Sequence, residues 1–356
     1  MTTRVVQWGT GNVGRQALTT VLARPDMELV GVYVTNPDKA GRDAGELVGG
    51  NSVGVRATNS VDAIVALDAD IVLHTPLPSL VYGNDPGADL ANFTRLLASG
   101  KHVVTTVGYM YPQVYGDSLM AQLTSACVAG NSAFHGTGYN PGWFGDLLPL
   151  LMTGLSLSVE TIDIQEITNF QFYPSPEIMF DMMNFGKTPD DMQAAEARYR
   201  GWLDGLFTEA VQMVADGLGA PTDSVESTRE LWIADADLDT AAGSVRAGTV
   251  AGQRFQWSVL DRGHPVVRQE TVWRMHERAA PEWPHGDWSL TISGHPKMQV
   301  SLPHRWNSHG LASTAAHAVN VVPYLMRAGV GVKTFLDLPM VAGRGAYRRP
   351  ELAPRY

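Results

Sequence analysis

Residues 5–18 read VVQWGTGNVGRQAL. A β-branched apolar start runs into Gly9-Thr10-Gly11-Asn12-Val13-Gly14, and a helix-forming stretch follows. A G-x-G-x-x-G on its own is a weak pattern. Placed after a strand and at the opening of a helix, it dictates a particular turn. Gly9 permits the tight turn, Gly11 lets a pyrophosphate approach the backbone, and Gly14 lets the helix pack on the strand. The free N–H groups of the helix start then face the phosphates. These six residues are therefore expected to cradle a dinucleotide within a βαβ unit.

The rest of the first third supports that unit. Strand-like runs (RVVQW, MELVGVYVT, DADIVLHTP, KHVVTT, NSAFHGTG) alternate with helical ones (NVGRQALTTVLARP, SVDAIVAL, ADLANFTRLLASG, PQVYGDSLMAQLTSACVAG). Such alternation predicts right-handed crossovers and a parallel sheet covered on both faces. Beyond it, LSVETIDIQEI, RFQWSVLD, VVRQETVWRM, DWSLTIS and MQVSL alternate apolar with polar residues, as an antiparallel sheet with one packed face does. ISGHPKMQ is expected to be a hairpin turn within this sheet. One long helical stretch, 190–219, interrupts these strands, and 310–329 returns to helix with a kink expected at Pro323. The expected fold is α/β: a Rossmann-type doubly wound parallel sheet with a second α+β domain on a largely antiparallel sheet. The expected boundaries are 1–136 for the dinucleotide-binding domain, with 310–356 returning to it, and 137–309 for a substrate and oligomerisation domain.

At 356 residues the chain suits two domains, and 17% charged residues is ordinary for a packed globular protein. The net charge of −10 disfavours a general nucleic-acid or anionic-membrane surface. The single cysteine, Cys127, excludes an intrachain disulfide and reads as a small buried side chain. There is no basic-then-apolar leader and no membrane-length apolar run, so the expected location is cytoplasmic. His285, His295, His304 and His309 lack metal-ligand spacing, and no metal is expected. Trp257, Trp273, Trp283 and Trp288 fall on or beside the strand pattern and are read as packing residues.

The end of the second strand discriminates between cofactors. NAD-specific enzymes usually place a carboxylate there for the ribose hydroxyls. This chain has the neutral Asn36, then Lys39 and Arg42, which favours the 2′-phosphate of NADP and leaves NAD as the alternative. Asp38 complicates the reading, because its charge would repel that phosphate. Ligands of such sheets bind at the carboxyl ends of the strands, here His74-Thr75-Pro76, Thr106-Val107 and the glycine-rich Gly138-Tyr139-Asn140-Pro141, in which Asn140 suits the carboxamide of a nicotinamide.

The glycine loop, VLHTP, GKHVVTTVGY and GTGYNPGWFGDLLP, in this order, resemble the dihydrodipicolinate-reductase-like oxidoreductases, nearest the 2,4-diaminopentanoate and amine dehydrogenase branch. The resemblance spans roughly residues 1–150 and returns near TAAHAVNVVP and FLDLP. It implies NAD(P) binding, two domains with a cleft between them, and a homo-oligomer, a dimer first. Two departures stand out. Amine dehydrogenases of this type carry a catalytic glutamate just after the strand that here runs into Val107-Gly108-Tyr109. Dihydrodipicolinate reductases carry E-x-H-H where this chain reads Glu166-Ile167-Thr168-Asn169. What carries over is hydride transfer between a nicotinamide and a small carbonyl, imine or amine substrate. An amine dehydrogenase using another acid and a dinucleotide-binding sensor without turnover are the alternatives.

A proton donor is then required. Glu166 shares a strand face with Ile162 and Ile164, and burial there would raise its pKa. Tyr109, Tyr139 and Tyr173 lie on loops expected to reach the cleft, and His135 ends a strand on the cofactor side. His317 and Asn320 share one helix face by their spacing.

Overall fold

The computed structural model of the chain describes residues 2–195, 197–303 and 309–343. His304 and the tail 344–356 lie outside the described residues. The chain divides into two compact units, Met1–Trp143 with Gly310–Tyr356, and Phe144–His309.

The first unit is built on seven strands. Six are β1 (Thr3–Trp8), β2 (Met27–Tyr33), β3 (Ala57–Thr58), β4 (Ile71–His74), β5 (His102–Thr105) and β6 (Ala133–Gly136). With the short strand Gly331–Val332 they form a sheet in the order Gly331–Val332, β6, β5, β4, β1, β2, β3. Every pairing in it is parallel. A parallel sheet must be covered on both sides, and its strands accordingly read as continuous apolar runs. Leu18 and Val21 of the first helix, Asn12–Leu22, pack on one face with Ala318, Val322 and Leu325 of the returning helix, Gly310–Leu325. Pro323 falls in the last turn of that returning helix. Phe93, Leu97, Leu123 and Cys127, from helices Ala88–Ala98 and Asp117–Gly130, pack on the other face. Burial pushes the Cys127 thiol up to about 11, so it is an inert core side chain. The strand order reverses at β1, between β2 and β4. In open sheets of this kind that reversal opens the ligand crevice at the carboxyl ends.

The second unit contains β7 (Ser158–Asn169), β8 (Ser224–Ile233), the small hairpin β9 (Leu238–Thr240) with β10 (Gly243–Val245), β11 (Val250–Asp261), β12 (His264–Arg274), β13 (Trp288–His295) and β14 (Met298–Leu302). Its main sheet runs β14, β13, β7, β12, β11, β8. Side chains alternate between its faces with the two-residue period of a strand. Ile162, Ile164, Phe255, Trp257 and Leu290 are buried, and the Trp257 ring stacks 4.2 Å from Phe207 of the long helix Ala197–Leu218. The alternate residues carry charge: Arg254 pairs with Glu270 at 2.7 Å, and Arg268 with Asp163. Trp257, Trp273, Trp283 and Trp288 are all buried, as packing residues.

The sheet is largely antiparallel, as the sequence reading has it; the exception is β7 against β12, which run parallel. Residue alternation reports burial and carries no information on strand direction. The edge strand β8 escaped notice because SVESTRELWI is too polar to read as a strand; an edge position tolerates that. No helix among the described residues is long and apolar enough to cross a membrane.

Candidate functional site

The glycine loop joins β1 to the first helix at the strand-order reversal. Its three glycines are used differently. Gly9 has a φ of +93°, and a β-carbon on it would sit 3.1 Å from Pro76 N and 3.2 Å from Thr75 O. A β-carbon on Gly14 would lie 2.2 Å from the carbonyl oxygen of Gly9. These two positions are dictated by the protein's own backbone. Gly11, the helix N-cap, has an ordinary φ of −74°. A β-carbon there would meet nothing within 4 Å. The protein does not need a glycine at this point, whereas an approaching pyrophosphate does. With the unpaired N–H groups of an eleven-residue helix behind it, the loop fits a dinucleotide.

Gln7 holds the loop in shape, and the sequence reading passed over it. It is fully buried near the end of β1, after the apolar Val5 and Val6. Its Nε2 donates to the Gly9 carbonyl at 2.9 Å and to Thr75 Oγ1 at 2.7 Å. Thr75 Oγ1 in turn donates to the Trp8 carbonyl at 3.2 Å. A lone amide between Val6 and Trp8, next to a glycine loop, was the available signal.

The segment after β2 returns to this loop. Asn36 caps the short 3-10 turn Pro37–Lys39, and its Oδ1 accepts from the Asp38 N–H at 2.9 Å. Lys39 Nζ donates to the Thr10 carbonyl at 3.3 Å and lies 3.4 Å from Thr10 Oγ1. A cation thus sits against the loop itself. Asp38 and Arg42 are exposed. Asn12 is exposed and Val13 half-buried.

The ends of β4, β5 and β6 lie along the same carboxyl edge of the sheet as the glycine loop. His74 has no exposed surface; its Nδ1 shares a hydrogen bond with Thr105 Oγ1 at 3.0 Å, and burial lowers its pKa to about 3. Its side chain is part of the core. Thr75 and Pro76 support Gly9, as described. Thr106 N donates to the His74 carbonyl at 3.1 Å, and Val107 is buried. Tyr109 is half-buried with a φ of 64°, a left-handed conformation that tyrosine seldom adopts. Its ring lies against Phe93, Tyr115 and Phe134.

After β6, residues 137–142 fold back on themselves. A β-carbon on Gly138 would lie 2.5 Å from the Pro141 carbonyl oxygen, and one on Gly142 would lie 2.0 Å from Gly138 N. Tyr139 is buried and stacks on Trp143; Asn140 is half-buried and Pro141 buried. His135 is fully buried and donates from Nδ1 to the Lys333 carbonyl at 2.8 Å. Burial lowers its pKa to about 4. His317 joins this group through Thr137 Oγ1, 2.8 Å from its Nδ1. Asn320 does not; its Oδ1 accepts from Arg24 Nη1 at 3.3 Å.

Glu166 and Tyr173 belong to the second unit. Glu166 is buried on the packed face of the sheet, where Trp273 Nε1 donates to its Oε1 at 2.8 Å. Tyr173 is half-buried against Phe170, and burial raises its pKa. Among the described residues, no group of three or more His, Cys, Asp or Glu side chains comes together to hold a metal ion.

Comparison with known proteins agrees with this architecture. Residues 3–109 match the sequence family described as dihydrodipicolinate reductase, N-terminus. Residues 144–349, more than half of the chain, match the family described as 2,4-diaminopentanoate dehydrogenase C-terminal domain. An amine dehydrogenase of Streptomyces virginiae is 30% identical, over 97% of this chain and 99% of its own. A 2,4-diaminopentanoate dehydrogenase of Acetoanaerobium sticklandii is 24% identical, over 95% of this chain and 93% of its own. The structure of an amine dehydrogenase from Mycobacterium smegmatis shares the fold, with a TM-score of 0.76 at 22% identity, covering 97% of both chains. The chain belongs to the 2,4-diaminopentanoate dehydrogenase family and is a nicotinamide-dependent oxidoreductase.

Proposed function

We propose that the chain interconverts a small carbonyl or imine and its amine or alcohol, with NADPH as the preferred cofactor. The observation that carries this reading is the open face of Gly11 between two glycines locked by backbone contacts. The names of the amine dehydrogenase and 2,4-diaminopentanoate dehydrogenase relatives support the substrate class.

In this reading Gly9 to Gly14 hold the pyrophosphate, and Lys39 and Arg42 hold the 2′-phosphate beside Asn36. His74-Thr75-Pro76 and Thr106-Val107 form the wall beside the cofactor through their backbone, and Gly138, Asn140 and Pro141 face the nicotinamide. The bound cofactor supplies or accepts the hydride. The chain's own task is to orient the substrate and move one proton to the nitrogen or oxygen that gains charge. Glu166 is proposed for that proton, with Tyr109, Tyr139, Tyr173 and His135 as the other candidate groups. The homodimer and the cytoplasmic location, without nucleic-acid or membrane partners, remain part of the proposal on the sequence reading alone.

Consumption of NADPH should be followed with ketones in the presence and absence of ammonia, with aldehydes, and with cyclic imines. Turnover of a ketone only with ammonia identifies reductive amination. Turnover of cyclic imines or of ketones alone identifies a simple reductase. Tight NADPH binding with no turnover across all these classes would contradict the proposed enzyme activity.

The cofactor preference has its own test. A charge-assisted hydrogen bond to a phosphate contributes about 1.5–3 kcal/mol. NADPH should then bind roughly 10–150-fold more tightly than NADH, toward the low end because Asp38 is close. The ratio should fall as salt rises. Replacing Lys39 and Arg42 together by Ala should bring the two affinities nearly level, chiefly by weakening NADPH. A wild type that prefers NADH would overturn the charge argument.

A further inference from the structure

We propose that His317 is a positioning residue: through Nδ1 it holds Thr137, and thereby sets the Gly138–Gly142 hoop proposed to face the nicotinamide. The inference rests on that reading of the hoop.

His317 stands on the returning helix beside Ala315, Ala318, Val319, Val321 and Val322, all buried apolar residues. An imidazole in that setting is a poor choice for stability. Its Nε2 is buried with no hydrogen-bond partner among the described residues, and an unpaired buried polar atom costs stability. Its other nitrogen makes a well-formed contact, 2.8 Å to Thr137 Oγ1. Thr137 is buried, and its N–H donates to the Thr105 carbonyl at 2.9 Å. Its backbone is thus tied to the end of β5 and its side chain to the returning helix. The next residues have little freedom, because Gly138 and Gly142 are packed backbone to backbone. The hoop therefore follows wherever Thr137 is held.

The ring of His317 is itself held in place. Phe335 lies 5.6 Å from it, centroid to centroid, and packs edge-on against His135 at 4.8 Å. His135 is anchored by its Nδ1 to the Lys333 carbonyl, and its Nε2 is buried without a partner as well. Neither Nε2 makes a hydrogen bond among the described residues. The δ side of His317 carries the role.

The test is a double-mutant cycle on the full chain, read by the KM for NADPH, kcat and Tm. His317→Phe keeps a ring and removes the hydrogen bond. Thr137→Val removes the same bond from the other end. Each is expected to raise the KM for NADPH about three- to tenfold, the range for one lost hydrogen bond. The double variant should be no worse than the worse single, because both remove one interaction. His317→Asn, which offers an amide near the position of Nδ1, should restore most of the affinity, and His317→Gln, which extends toward the ε side, should not. Additive losses in the double variant, or an unchanged KM in Thr137→Val, would overturn the proposal. Should His317→Phe fail to fold, Thr137→Val and the Asn and Gln pair still decide it. Gly11→Ala separates the two readings: if it weakens NADPH while Thr137→Val does not, the cofactor reading stands and this one falls.

Discussion

Lowering the pH from about 7 to about 4.5 is expected to destabilise the first unit steeply, beginning above the range in which most carboxylates protonate. Burial lowers the pKa of both His135 and His317 to about 4. In the unfolded chain a histidine titrates near 6.5. Between these values the unfolded state binds more protons than the folded one, so stability falls as pH falls. A depressed histidine contributes stability that is present above about pH 6.5 and drains away toward pH 4. Each contributes a slope of up to about 1.4 kcal/mol per pH unit. The two rings reinforce one another, since a charge on His135 opposes one on His317. His74, whose pKa burial lowers to about 3, acts in the same direction. Asp43, held down to about 2 by the Val53, Gly45 and Gly54 N–H groups and the Ser52 hydroxyl, adds its own loss only below its unfolded value of 3.8. Thermal unfolding between pH 7.5 and 4 reads the effect directly. A Tm that stays flat down to pH 4.5 would show that these imidazoles are not buried and neutral as described.

Glu166→Gln should lower kcat by about 10²–10⁴-fold, the usual range for loss of a general acid or base, and leave NADPH affinity unchanged. The substitution suits the test because glutamine keeps a carbonyl oxygen to accept from Trp273 Nε1, now 2.8 Å from Glu166 Oε1. The fold should therefore survive, and a Tm measurement checks that it does. Wild-type turnover in a folded Glu166→Gln variant would make Glu166 a packing residue and move the search to Tyr109, Tyr139 and Tyr173.

The parallel sheet was legible in the sequence because its strands are short apolar runs punctuated by Gly and Pro at regular spacing. The glycine loop was legible for the same reason: each glycine has a steric cause, and those causes reappear in the structure as a positive φ at Gly9 and a near-contact at Gly14. Edge strand β8 was not legible, since none of its residues is buried and they carry little apolar alternation. Nor was the direction of β7 against β12, which depends on pairing across about a hundred residues. The group around Thr137, His135, His317 and Phe335 joins segments nearly two hundred residues apart. No local pattern signals it. The order of elements returned the last helix to the first domain, yet residue spacing alone put Asn320 with His317, whereas the structure turns Asn320 to Arg24.

The central claim is that residues 9–14 hold a dinucleotide, and Gly11→Ala tests it most directly. The added methyl meets no protein atom within 4 Å, and the φ of −74° suits alanine. Tm should therefore be unchanged. The methyl does occupy the space through which a pyrophosphate must approach. Titration with NADPH should show affinity reduced at least tenfold, about 1.4 kcal/mol. A folded Gly11→Ala variant that binds NADPH as tightly as the wild type would contradict the account.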